Sequence, residues 1–165
     1  MFYKFALEID LLPFGDIENE NREIQLYDPT LFVINMPGFK EAYPFVTELE
    51  LPSGQTLKIC SLEGLVMLIA YGDNPSRTKD ITDIDHILEN YFDLFHNNVY
   101  DEHFDVMDMY HTEDREYLGL VGARVIGRKI KDMLDKDDQL IERMIKTLYK
   151  RPTNFWQALA SGLKD

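Results

Sequence analysis

Residues 45–59, Phe-Val-Thr-Glu-Leu-Glu-Leu-Pro-Ser-Gly-Gln-Thr-Leu-Lys-Ile, mark the point where the chain turns from sheet to helix. Phe45 to Leu51 and Gln55 to Ile59 are rich in strand-forming residues, and Ser53-Gly54 between them reads as a hairpin turn, since glycine supplies a positive φ at little cost. Directly afterwards Ser61 precedes Leu62-Glu63-Gly64 and an apolar run to Tyr71, the pattern of an N-cap followed by a buried helix.

Working outward from this point, the N-terminal side is strand-like and the C-terminal side helical. Lys4 to Leu12 alternates, and Glu23 to Val33 forms a second extended stretch. Lys4 to Leu12, Phe45 to Leu51 and Gln55 to Ile59 are expected to lie in one small mixed or antiparallel sheet, with Ser61 to Tyr71 and Asp80 to Tyr91 packed beside it. Downstream, Gly72 to Ser76 breaks the first helix. From Asp80 the residues Ile81, Ile84, Ile87, Leu88 and Tyr91 recur at helical spacing. A helix from Thr112 carries Leu118, Val121, Val125 and Met133. Another starts at Asp138 with Ile141, Met144, Ile145 and Leu148. A last one, opened by Thr153, closes near Gly162. Asn97 to His111 is expected to be an irregular linker. The reading is an α+β chain with residues 1–60 as sheet and 61–165 as helical bundle, packed as one compact unit.

Composition narrows the class. With 165 residues and 45% hydrophobic content, one sizeable core is affordable but not two. No apolar run approaches the roughly 20 residues of a membrane span, and the N-terminus lacks the pattern of a signal peptide. Cys60 is the only cysteine, so neither an intramolecular disulfide nor a thiolate zinc cluster can form. A cytoplasmic location is expected. The net charge of −13 opposes association with polyanions, so any contact with nucleic acid must be local.

Two spacings bear on chemistry. In a strand Glu8 and Asp10 project from the same face, and paired carboxylates suit a hard cation such as Mg²⁺; a solvated strand face has the same pattern. Lys79-Asp80 with Asp83 one turn on sets two carboxylates beside a lysine, which helix capping and a surface ion pair also account for. His86, His96, His103 and His111 lack the spacing of a helical metal pair. Arg124, Arg128 and Lys131 form one basic stripe and Arg143, Lys146 and Lys150 another, either able to meet an RNA backbone locally or to serve as a solvated helix face.

In order, Ile9-Asp10-Leu11-Leu12-Pro13-Phe14-Gly15-Asp16-Ile17-Glu18, Gly38-Phe39-Lys40-Glu41-Ala42, Ser61-Leu62-Glu63-Gly64-Leu65, Leu68-Ile69-Ala70-Tyr71 and Lys79-Asp80-Ile81-Thr82-Asp83-Ile84 resemble the AbiEii-type nucleotidyltransferase family, whose members include toxins paired with antitoxins. The match covers about residues 7 to 92. The resemblance implies a nucleotidyltransferase sheet followed by helices, with Mg²⁺ and an NTP as cofactors. It gives Asp10 the role of third metal-site carboxylate and catalytic residue, with Glu8 beside it, and places Lys79, Asp80 and Asp83 at the nucleotide edge of the cleft.

The departures carry expectations too. The family pattern opens, ahead of Asp10, with a Gly-Ser or Gly-Thr turn and an Asp-x-Asp pair; the sequence begins after that region. Met67 and Asn74 stand where a lysine and an arginine are usual. The family reading is therefore a catalytically impaired nucleotidyltransferase that transfers no nucleotide alone, with a non-catalytic binding or structural partner as the alternative. Uncovered sheet should then be buried by a partner protein or a second copy of the chain.

Overall fold

The computed structural model describes residues 11–27, 30–72, 78–135, 137–151 and 153–165. It is an α+β fold in which two small antiparallel two-stranded sheets are followed by a helical region. Strand β1 (Glu23–Tyr27) pairs with β2 (Leu31–Asn35), Glu23 opposite Asn35 and Tyr27 opposite Leu31. The extended stretch expected across Glu23 to Val33 is thus folded back on itself. After a short helix α1 (Phe39–Ala42) and a 3₁₀ turn, β3 (Thr47–Glu50) pairs with β4 (Thr56–Ile59), Thr47 opposite Ile59. Gly54 sits at φ +79° in this second hairpin, and its N–H donates to the Leu51 carbonyl at 2.8 Å.

Phe45 to Leu51 and Gln55 to Ile59 share one sheet, as expected, but among the described residues that sheet has only these two strands, and β1–β2 forms a separate one. Gly38 at φ +89°, α1 and Pro44 in the 3₁₀ turn redirect the chain between β2 and β3, so these strands do not run side by side. Of the expected strand Lys4 to Leu12, residues 4–10 lie outside the described residues, and Leu11 and Leu12 are not in a strand.

The helices are α2 (Leu62–Gly72), α3 (Thr78–Glu102), α4 (Phe104–Met107), α5 (Tyr117–Met133), α6 (Asp138–Leu148) and α7 (Asn154–Gly162). Three have the side-chain caps their sequences call for: Ser61 accepts from Gly64 N–H at 3.2 Å, Asp137 from Leu140 at 3.1 Å and Thr153 from Trp156 at 3.4 Å. Helix α3 is interrupted at Phe95, which has φ −124° and ψ 21°.

Two boundaries differ from expectation. Asn97 to His111 is largely helical rather than a linker, because α3 continues to Glu102 and α4 follows. Val99 and Val106 are fully buried there, and that anchorage overrides the polar composition. Helix α5 starts at Tyr117, not Thr112: the Asp114 carboxylate accepts the Glu116 N–H at 2.9 Å, a local bond that competes with helix.

The core is built around α5, whose Val121, Ala123, Val125, Ile126 and Ile130 are all fully buried. It packs most extensively against α7 and next against α3. Tyr91, Leu88, Leu159 and Leu163 fill the seams, and Trp156 donates its indole N–H to Asp85 at 2.6 Å. No helix among the described residues is long and apolar enough to cross a membrane.

Candidate functional site

Two of the stretches quoted for the family resemblance, Gly38 to Ala42 and Ser61 to Tyr71, meet in space. Gly38 at the head of α1 lies against α2, where a Cβ in its place would meet the Tyr71 ring at 3.0 Å and Met67 Cε at 3.3 Å. Ala42 approaches Gly64 on the same helix. Met67 is fully buried in this contact. The position where the family pattern has a lysine is therefore part of the core, and apolar character is what that environment favours.

Glu8, Asp10 and Asn74 lie outside the described residues. Lys79 and Asp83 are exposed and Asp80 half-buried at the start of α3, an arrangement open to solvent. Among the described residues no group of three or more His, Cys, Asp or Glu side chains is arranged to hold a metal ion. Of the first basic stripe, Arg124 donates twice to Asp165, at 2.9 and 2.5 Å. Arg128 donates to Asp165 at 2.6 Å and twice to Asp105, at 2.8 and 2.7 Å. These contacts hold Asp105 and Asp165 below the usual carboxylate range and raise Arg128 further. Both guanidinium groups thus clamp α4 and the residues after α7 onto α5, while Lys131 is half-buried nearby.

A polar cluster not read from the sequence joins α2, α3 and α5. Glu63, only 6% exposed, accepts a short hydrogen bond from the Tyr91 hydroxyl, and Lys129 Nζ stands 3.4 Å from its Oε1. Lys129 also lies over the Tyr91 and Phe95 rings, 5.8 and 5.9 Å from their centroids. Burial opposes ionisation of Glu63, but the Tyr91 hydroxyl, its own backbone N–H, Lys129 and Ser61 together draw its pKa down. Tyr91 moves the other way, raised by burial and by the Glu63 charge, so the proton resides on the phenol. Cys60 next to this cluster is a thiol held up by burial and by Glu63, the reverse of what an activated nucleophile needs.

A hollow of about 340 Å³ opens beside the cluster, lined by Phe45, Val46, Ser61, Glu63, Lys129, Asp132 and Met133. The signal in the sequence was Glu63 inside an apolar helix, where a charge survives only with a partner. Nothing in spacing alone pointed to Tyr91 and Lys129.

A second hollow, of about 480 Å³, is bounded by α6 and α2 and lined by Tyr71, Gln139, Arg143, Lys146, Thr147 and Lys150. It contains the whole of the second basic stripe. Arg143 lies 5.8 Å from the centre of the Tyr71 ring, and the Tyr71 hydroxyl donates to the Leu140 carbonyl at 2.9 Å.

The hairpins differ from these buried sites. In β3–β4, Leu49 lies opposite Leu57, and Thr47 opposite Ile59, on one face; Glu48 and Glu50 alternate with them on the other. Leu49, Leu57 and Ile59 are 47%, 48% and 45% exposed, and Tyr43 and Phe45 nearby are similarly open. In β1–β2 only Ile24 is buried, while Tyr27, Leu31 and Phe32 are exposed. Compared with known proteins, the chain matches no family model, no curated protein and no solved structure.

Proposed function

We propose that the chain works as a non-catalytic binding member of the nucleotidyltransferase-like group it resembles, and that the apolar face of β3–β4 docks onto a second copy of the chain. The supporting observation is the one-sided pattern of this hairpin: apolar Leu49, Leu57 and Ile59 share a face that the other described residues leave about half exposed, while Glu48 and Glu50 mark the solvent side. Two-stranded ribbons are marginal alone and gain stability when such a face is covered. A symmetric dimer covers it with no further component. The net charge of −13 opposes the approach of two copies, so salt should strengthen association by screening. Light scattering at tens of micromolar, roughly the range of an ordinary micromolar affinity, tests this. A dimer that tightens with salt and is lost in Leu49→Lys and Leu57→Lys is expected. A monodisperse monomer at every salt concentration overturns it.

The order of the family-like motifs favours a second reading: a nucleotidyltransferase completed by another chain or an upstream segment, using Mg²⁺ and an NTP at Asp10 with Lys79, Asp80 and Asp83 alongside. Incubation with each radiolabelled NTP, Mg²⁺ or Mn²⁺, total RNA and cell extract separates the two. Label transfer that disappears in Asp10→Ala establishes the enzyme; no transfer supports the binding role.

A further inference from the structure

We infer that the hollow between α6 and α2 binds a short run of phosphate groups, with Arg143, Lys146 and Lys150 as its cationic wall. Gln139, Arg143, Lys146, Thr147 and Lys150 recur at spacings of three, four and seven, which brings them to one face of α6 and its immediate continuation, and all five line the hollow. Among the described residues three cations and no carboxylate line it, on a chain whose net charge is −13. Such a concentration of one sign in one concavity is a local reversal of the protein's field.

The surroundings limit the ligand's length. At a rise of about 1.5 Å per residue, Arg143 and Lys150 lie roughly 10 Å apart along the axis, enough for two or three linked phosphates. Beyond Arg143 the wall changes sign. Arg143 and Gln139 also border an adjoining hollow of about 620 Å³, whose lining includes Glu18, Glu20 and Asp137. A longer polyanion running that way would meet carboxylates.

Two of the cations are held ready in different ways. Arg143 is half-buried and placed over the Tyr71 ring, which orients the guanidinium. Lys146 contacts Glu142 at 3.2 Å, an exposed pair on one helix that a phosphate can displace. Thr147, 8% exposed, and Gln139 add uncharged polar groups to the lining. The phosphates could come from a free polyphosphate compound or from the backbone of a single-stranded RNA.

Binding is measured by calorimetry with sodium tripolyphosphate, and by anisotropy with a labelled single-stranded RNA of about ten nucleotides. The full chain, Arg143→Gln/Lys150→Gln and a control, Lys131→Gln, are compared, with thermal melts to establish that each is folded. Saturable tripolyphosphate binding that weakens at least about tenfold in the double variant and not in the control is expected, given what one charge-assisted contact contributes. RNA binding displaced by tripolyphosphate supports the same site with a nucleic-acid source, and tripolyphosphate binding without RNA binding supports a free polyphosphate. No binding of either probe overturns the inference. So does binding that the double variant retains. If the variant does not fold, tripolyphosphate protection of Lys146 and Lys150 from acetylation in the wild-type chain decides, and equal labelling with and without the anion overturns the site.

Discussion

Gly127 and Gly162 meet where α5 crosses α7: a methyl built on Gly127 would lie 2.9 Å from the Cα of Gly162, with the Leu159 carbonyl oxygen closer still. A methyl on Gly162 would in turn strike the Arg124 carbonyl and approach Arg128 N at 2.9 Å. The obstacles are backbone atoms, which cannot rotate away. Gly127→Ala and Gly162→Ala should therefore each lower unfolding free energy by roughly 1–3 kcal/mol, although alanine is the better helix former by up to about 1 kcal/mol. Gly119→Ala meets only the Phe155 ring, at 2.6 Å, and should cost less because a side chain can give way. Urea midpoints measure all three, and a Gly127→Ala protein as stable as wild type would show that the helices have slack.

Acid should weaken the fold in two stages. His103 lies below its ordinary value of 6.5, chiefly through burial and then through Lys129 and Arg128, with Glu102 and Asp105 opposing. The unfolded chain thus takes up this proton first, so stability declines as pH falls below about 6.5 and levels off beneath the folded pKa. Glu63 lies below 4.5, so its contribution is present above that value and is lost as pH drops through the lower folded pKa. Urea midpoints recorded from pH 8 to 3 check both. His103→Gln should abolish the upper stage alone, and an unchanged profile in that variant rejects the assignment.

Arg22 joins the first hairpin to the helices. Its guanidinium lies 2.7 Å from Glu41 on α1 and 3.2 Å from Asp137, the cap of α6, and 3.9 Å from Glu18. Glu18 and Glu41 are 3% and 11% exposed at the side chain. Removing the cation leaves their charges short of a counterion. Arg22→Met should cost about 2 kcal/mol, within the range for a hydrogen-bonded charge and reduced because Arg22 itself is partly exposed. Adding Glu41→Gln should recover part of the loss, and a double-mutant cycle with no coupling would argue against the bridge.

How much of this is readable from the sequence follows from the range of the forces involved. Caps and turns are local, so Ser61, Thr153 and Gly54 fulfil the roles their neighbours imply. Helices α6 and α7 likewise begin and end close to where their periodicity places them. Hairpin β1–β2 reads as one extended stretch because Leu31 to Ile34 is apolar on both faces, and alternation then gives no boundary. The Asn97 to His111 region reads as a linker because what decides it, the burial of Val99 and Val106, depends on core residues distant in sequence. Lys129 and Glu63, 66 residues apart in sequence, meet only through tertiary structure. Glu8 and Asp10 lie outside the described residues.

Hydrogen exchange should divide the chain along the same line. The hairpins make most of their contacts within themselves, whereas α5 packs against α3 and α7. Amides of β1 to β4 should exchange by local opening, and those of α5 and α7 only on global unfolding. Equal protection in both regions would mean that the hairpins unfold together with the helices.

The Glu63, Tyr91 and Lys129 cluster also fixes how the helices align. Aliphatic seams tolerate sliding, because one turn of leucines resembles the next. If α3 slipped by a turn against α2, about 5.4 Å, the Tyr91 hydroxyl would leave Glu63, and a carboxylate with almost no access to water would lose one of its donors. Alternative registers of the three helices thus carry a charge penalty that a wholly apolar seam would not impose, and a single alignment is selected.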